Sequence, residues 1–160
     1  MNKKKFSVIL SSVFWLGFIP FAPGTFGSLA ALGLYLLLPG MLFEGSYRYI
    51  MTLVVMLLAF IFAPIVRKAE ESLGEDAPQI VIDEVFGYFV AVLFLPKTLM
   101  IGVWAFILFR VFDIAKPFPI NKSQSIGKGF GVMIDDLLAG LYANILLQFL
   151  IIIKPQFFGI

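Results

Sequence analysis

The sequence has no cysteine and no histidine in 160 residues, and only 14% of it is charged, against about 25% in a typical soluble domain. Without cysteine there is no disulfide framework, no thiolate nucleophile and no signal of a redox compartment. Without histidine there is no imidazole acid or base and no histidine-ligated zinc. Any chemistry must come from carboxylates, lysine, arginine, hydroxyls or a bound metal. The net charge of +2, from 12 basic and 10 acidic residues, is too small to suggest nucleic-acid binding. A sheet is not expected either. Lipid-exposed backbone needs helices or closed barrels, and the apolar runs lack two-residue alternation.

What is abundant is apolar. Hydrophobic residues make up 61% of the chain and the mean hydropathy is +1.00. This points to an integral membrane protein of one domain, residues 1–160. The runs are Phe26–Phe43, Tyr49–Val66 with Pro64 expected to kink its end, Ile80–Leu95, Thr98–Phe112 and Leu137–Ile153. Several fall short of the roughly 20 residues of a comfortable span. The expected fold is all-α: a compact membrane bundle of about four to five apolar helices plus an N-terminal interfacial helix. That last helix is expected over Phe6–Ile19, after Lys3, Lys4 and Lys5. A basic start and an apolar run resemble a signal peptide, but no small-residue cleavage site follows. Lysines beside Phe14 and Trp15 suit the headgroup zone. Gly33, Gly40, Gly102 and Gly140 are expected at close helix contacts.

If all five runs cross and the N-terminal lysines are cytoplasmic, nine basic residues (Lys3, Lys4, Lys5, Arg67, Lys68, Arg110, Lys116, Lys122 and Lys128) fall on that side. Three (Arg48, Lys97 and Lys154) fall opposite. This is the positive-inside pattern of a multi-pass protein. The same topology collects the polar residues that interrupt the apolar runs. Gly24–Ser28, Asp83 and Glu84, Arg110 and Asp113, and Asp135 and Asp136 all come to the cytoplasmic end. Carboxylates in or beside a bilayer are expensive and usually functional. Several at one face suggest a hard cation, foremost Mg²⁺.

Each motif has an ordinary reading beside the functional one. Pro23-Gly24-Thr25-Phe26-Gly27-Ser28 reads as a helix start, with Thr25 as N-cap and a first turn able to cradle phosphate; taken alone, it fits an ordinary capped helix better. Asp83 and Glu84 would suit a helix dipole, but two acids among Ile80, Val81, Ile82, Val85 and Phe86 fit a metal ligand and its orienting partner better. Arg110, Asp113 and Lys116 share a helical face at three-residue spacing if the helix persists. They offer a guanidinium fork and an ammonium for phosphate, with Asp113 holding Arg110 or binding the metal; the ordinary reading is an interfacial ion pair. The Gly127-Lys128-Gly129-Phe130-Gly131 turn before Asp135 and Asp136 is a weak phosphate-binding signal, and the paired acids are the stronger one. The many phenylalanines fill a bundle or face lipid. An ion or proton transporter, or an assembly protein with interfacial ion pairs, remains a rival class.

In order and near whole-chain coverage, four blocks resemble the bacterial phosphatidylglycerophosphatase A family: Ala22–Ser28, Ile82–Gly87, Phe109–Ile120 and Gly129–Gly140. The resemblance implies an all-helical, Mg²⁺-dependent phosphatase of the bacterial inner membrane, with its active site on the cytoplasmic face. It would hydrolyse phosphatidylglycerophosphate to phosphatidylglycerol and phosphate, within glycerophospholipid biosynthesis. The alternative substrate is another lipid phosphate, such as a polyprenyl phosphate. On this reading Asp83, Glu84, Asp135 and Asp136 hold Mg²⁺, with Asp113 beside them in the catalytic group. Arg110, Lys116, Lys128, Thr25 and Ser28 bind the phosphoryl group. Direct attack by water is preferred to a covalent aspartyl-phosphate.

Overall fold

A computed structural model describes residues 3–120 and 129–160. Among them are six α-helices and no strand: α1 Lys3–Ser11, α2 Pro23–Leu37, α3 Tyr47–Leu73, α4 Ile82–Val92, α5 Leu99–Ala115 and α6 Phe130–Ile153. Short 3₁₀ turns lie at Leu16–Phe18, Gly40–Phe43 and Pro155–Phe158.

The all-helical expectation holds, but the count of spanning helices does not. Among the described residues only α3, with 27 residues, and α6, with 24, are long and apolar enough to cross a membrane. α2 has 15 residues, α5 has 17 and α4 has 11. At 1.5 Å per residue α4 reaches only about 16 Å. The reason is local. Leu38-Pro39 splits the first apolar run into α2 and a 3₁₀ turn, and α4 already ends at Val92, before Pro96. Pro64 acts the other way. α3 runs through it to Leu73, because Ala63, Val66, Ala69 and Glu70 continue a buried stripe beyond the proline.

The N-terminal run is not one helix. α1 stops at Ser11, and Val13, Phe14 and Trp15 all take positive φ. The Ser12 hydroxyl donates to the Ile9 carbonyl and accepts the Trp15 N–H. The chain thus turns back, and the Val81 N–H donates to the Ser11 carbonyl just ahead of α4. Phe14, Trp15 and Phe21 remain exposed.

The short α4 is the centre of the bundle. It packs on α2, α3, α5 and α6, most extensively on α6. Seven consecutive residues, Phe86–Val92, are buried. Burial all round requires its terminal carbonyls to find partners inside the protein. Asn144 of α6 supplies them: its Nδ2 donates to the carbonyls of Ala91 at 3.0 Å and Leu93 at 2.7 Å. Gln148 donates to the Asn144 Oδ1 at 2.6 Å, fixing the amide. The α4–α6 contact is close because both faces are glycine. A Cβ at Gly140 would fall on the Gly87 carbonyl, and one at Gly87 would lie 2.7 Å from the Asp136 carbonyl. Gly102 likewise admits the Tyr35 ring, whereas Gly33 and Gly40 face open space and mark no contact.

α3 meets the start of α6 near Arg67, where a Cβ at Gly129 would lie 2.6 Å from the Arg67 Cβ. At the far end Tyr49 packs on Phe94, Thr98 donates to the Phe158 carbonyl, and Trp104 packs on Phe157. Arg48, Lys97 and Lys154 lie in sequence beside these residues.

Candidate active site

The opposite end holds the acids. The starts of α4 and α6 and the end of α5 meet around a cavity of about 260 Å³ lined by Asp83, Glu84, Asp113, Lys116, Asp135 and Asp136. Ligand atoms of Asp83, Glu84 and Asp136 all lie within 4.8 Å of one another. Asp83 and Asp136 are only 4% exposed. Like charges so close and so dry cannot all stay ionised without compensation. Burial, then the adjacent Glu84, pushes the Asp83 carboxyl well above the usual range. Burial, then the charge of Asp136, pushes Glu84 up to about 8.

Two cations serve this cluster among the described residues, and both are paired. Arg110 Nη1 lies 2.7 Å from Asp113 Oδ2 and 3.9 Å from Glu84 Oε1. Lys116 Nζ lies 2.5 Å from Asp135 Oδ2. Burial lowers the Lys116 pKa, but the hydrogen bond and charge of Asp135 outweigh it, so its net shift is upward. α5 does not persist to Lys116. The residue is the C-cap, with φ 40 in the left-handed region, and its side chain leaves the face of Arg110 to reach α6. Five carboxylates therefore share two cationic side chains. Asp83 Oδ1, Glu84 Oε2 and Asp135 Oδ1 are buried without a hydrogen-bond partner. Orphaned buried carboxylate oxygens are costly, and an all-oxygen set of this kind suits a hard divalent cation.

α2 approaches from one side. Its N-cap is Ala22, with φ 47, and Pro23 opens the helix, so Thr25 is the third helical residue and not the cap. The N–H groups of Thr25 and Phe26 both donate to the Ala22 carbonyl, which leaves a smaller anion cradle than the motif suggests. Ser28 is fully buried and its hydroxyl donates to the Gly24 carbonyl at 2.9 Å. What sits at this helix end is Glu84: a Cβ at Gly24 would fall on its Oε1 and lie 3.1 Å from Arg110 Nη1. The positive end of α2 thus faces a carboxylate of the cluster. Lys128 lies outside the described residues.

One cavity residue escaped the motif reading. Asp76 lines the wall with Ala77 and Pro78. It has φ 50, and its N–H donates to Glu70 Oε1 at 3.2 Å. The only sequence signal was an acid in a short polar loop, which is what a solvated loop also shows.

Fold and site together define an all-helical, carboxylate-centred protein, with two helices whose length and apolarity are compatible with membrane association. The sequence model of the family Phosphatidylglycerophosphatase A matches residues 9–151. A putative phosphatidylinositol-3-phosphatase of Bacteroides thetaiotaomicron is 38% identical over 149 residues, covering 88% of this chain and 90% of that protein. A phosphatidylglycerophosphatase A of Haemophilus influenzae is 37% identical over 142 residues, covering 86% and 83%. One from Escherichia coli is 35% identical over 145 residues, covering 89% and 81%. No solved structure matches. The chain belongs to the phosphatidylglycerophosphatase A family, and with it to the phosphatase enzymes.

Proposed function

We propose that the protein is a Mg²⁺-dependent lipid phosphatase that hydrolyses phosphatidylglycerophosphate to phosphatidylglycerol and phosphate in glycerophospholipid biosynthesis. The observation that carries this reading is the Asp83, Glu84 and Asp136 cluster, with its orphaned buried oxygens, inside a family of phosphatases. These three residues, with Asp135 alongside, would hold the cation. When bound, Mg²⁺ offsets phosphoryl charge and makes water a better nucleophile.

The chain's own residues supply the rest. Lys116, charged at neutral pH, stands in the cavity wall and binds a phosphoryl oxygen. Asp113 holds the Arg110 guanidinium against Glu84, so Arg110 both neutralises the cluster and offers its remaining N–H groups to phosphate. Asp135 keeps Lys116 turned into the cavity. Lys128 and Thr25 add to phosphate binding. Ser28 supports Gly24, whose bare Cα makes room for Glu84. Water attacks phosphorus in line, the bond to the headgroup alkoxide breaks, and the alkoxide takes up a proton as it leaves. Positioning and charge neutralisation account for most of the acceleration of such a transfer.

The membrane setting follows the same reading. α3 and α6 cross the bacterial inner membrane, and α2, α4 and α5 are shorter pieces packed against them. The carboxylate end, with Arg67, Arg110 and Lys116, faces the cytoplasm. Exposed Leu53, Leu57, Phe60 and Ile61 on α3 meet lipid. Exposed Phe14, Trp15 and Phe21 beside the N-terminal lysines rest at the headgroups. The substrate headgroup reaches the cavity while its acyl chains stay in the bilayer.

A second substrate reading rests on the Bacteroides relative, whose name places a phosphoinositide in the same role. Phosphate release by the purified protein decides between them. Phosphatidylglycerophosphate, phosphatidylinositol 3-phosphate and a polyprenyl phosphate are compared with Mg²⁺ titrated in and with EDTA. Turnover of the first that is lost in EDTA is expected; no release from any of the three removes the proposal.

A further inference from the structure

Between α5 and α6 the outer surface holds an apolar groove of about 420 Å³, lined by Phe112, Tyr142, Ile145, Leu146 and Phe149. None of these residues lines the carboxylate cavity, yet the groove's position relates it to that cavity. On α6, Tyr142, Leu146 and Phe149 follow Asp135 at intervals of 7, 11 and 14 residues. At about 100° per residue these fall within roughly 40° of the Asp135 direction, so all four lie on one stripe. On α5, Phe112 lies four residues before Lys116, the C-cap whose side chain crosses to α6. The two helices are tied together there, where Lys116 holds Asp135. The groove therefore starts about two turns along α6 from the polar pair in the cavity wall and runs away from it along a helix able to cross the membrane.

Its construction is suited to a flexible hydrocarbon. The Tyr142 hydroxyl turns out to donate to the Phe118 carbonyl at 3.1 Å, leaving only its ring to the groove. That ring packs edge-on against Phe112, with centroids 5.7 Å apart, and lines the end of the groove nearer the cavity. Further down, Ile145 and Phe149 are 57% and 59% exposed, so the groove is open along its side. From Tyr142 to Phe149 the helix rises about 10 Å, and one leaflet of hydrocarbon is about 15 Å deep. An occupant with a charged head at Lys116 and a chain pointing into the leaflet fits both ends.

We propose that the groove between α5 and α6 is a binding site for one acyl chain of the lipid phosphate, aligning it so that the headgroup phosphate enters the carboxylate cavity. This rests on the lipid-phosphatase reading above and adds to it a seat for the non-reacting part of the substrate. Binding energy from such a part is used to orient the reacting centre.

The test uses the full-length protein in phosphatidylcholine vesicles, with phosphatidylglycerophosphate carrying a diazirine midway along one acyl chain. After photolysis, adducts mapped by mass spectrometry are expected on Phe112 and on Tyr142–Phe149. The expected excess over the exposed α3 residues Leu57 and Phe60 is on the order of tenfold, and unlabelled lipid should compete it away. Equal labelling of α3 and α6 overturns the proposal. So do protein–protein crosslinks through these same residues, which would give the face to a second copy.

A kinetic arm uses Ile145→Trp, which fills the groove from its exposed side. The ratio of kcat/KM for a long-chain ester to that for the same headgroup on acetyl chains should fall on the order of tenfold. An unchanged ratio, with phosphate still released, overturns the acyl-chain site while leaving the phosphatase reading intact. If the native protein releases no phosphate from either ester, the phosphatase reading fails and the acyl-chain site fails with it.

Discussion

Lys116 Nζ and Asp135 Oδ2 lie 2.5 Å apart across 19 residues of sequence, joining the C-cap of α5 to the second turn of α6. Asp135 is 1% exposed, so this ammonium is its main compensation. Lys116→Ala strands that carboxylate, and leaving a buried group unpaired costs about 1–3 kcal/mol. A lower thermal midpoint in detergent is expected, together with weaker use of the lipid substrate. Lys116→Ala combined with Asp135→Asn should recover part of the midpoint, because the stranded charge is then gone. Additive losses in a double-mutant cycle would show that the pair does not couple.

Asp83→Asn and Asp136→Asn test the cation cluster. Each removes one charge from the group whose ligand atoms lie within 4.8 Å. Because these carboxylates are buried and already crowded by like charge, neither change should weaken the fold. Turnover should drop by about 10²-fold or more, the scale of losing one group that stabilises transition-state charge. Binding of Mg²⁺ measured by calorimetry should weaken in parallel. Phosphate release within twofold of the native protein in both variants would remove the cluster from the chemistry.

Glycine substitutions separate close contacts from open ones. Gly33 and Gly140 both lie inside helices, but a Cβ at Gly33 meets nothing within 4 Å, whereas one at Gly140 falls on the Gly87 carbonyl. Gly33→Ala should stabilise by roughly 0.5–1 kcal/mol, the ordinary helix gain over glycine. Gly140→Ala must push α6 off α4 and should destabilise by about 1–3 kcal/mol. Thermal scans by circular dichroism read both signs. Two changes of the same sign would contradict the α4–α6 contact.

The cluster was legible in the sequence because carboxylates interrupting apolar runs have few ordinary explanations. Asp83, Glu84, Asp113, Asp135 and Asp136 all interrupt or border such runs, and the structure gathers them around one cavity. The all-helical fold was legible from the same runs. Choices made by tertiary packing were not. Thr25 looks like an N-cap, but the cap is the left-handed Ala22, so the helix starts at Pro23, three residues earlier than that reading implies. Ser28 resembles a phosphate ligand until burial turns its hydroxyl to the Gly24 carbonyl. Pro64 reads as a helix end, although a buried stripe carries α3 nine residues past it. Asp76 follows Gly74 and Glu75 in a short loop and interrupts no apolar run, so nothing distinguishes it in the sequence from a surface acid.

Asn144 gives the last prediction. An 11-residue helix buried on all sides survives only if its final carbonyls are satisfied, and Asn144 does this for Ala91 and Leu93 from the neighbouring helix. Asn144→Leu keeps the volume but leaves both carbonyls and the Gln148 amide without that partner. At about 1–3 kcal/mol for a stranded buried group, the thermal midpoint should fall more than for any exposed α6 substitution, such as Ile152→Ala. Asn144→Gln should not rescue it, since the longer side chain cannot place one amide nitrogen 3.0 Å from Ala91 and 2.7 Å from Leu93 without moving α6. Because α4 also presents Asp83 and Glu84 from its first turn, loosening its far end should raise hydrogen exchange along the whole helix. Exchange confined to Val92 and Leu93 would mean that the two ends of α4 are held independently.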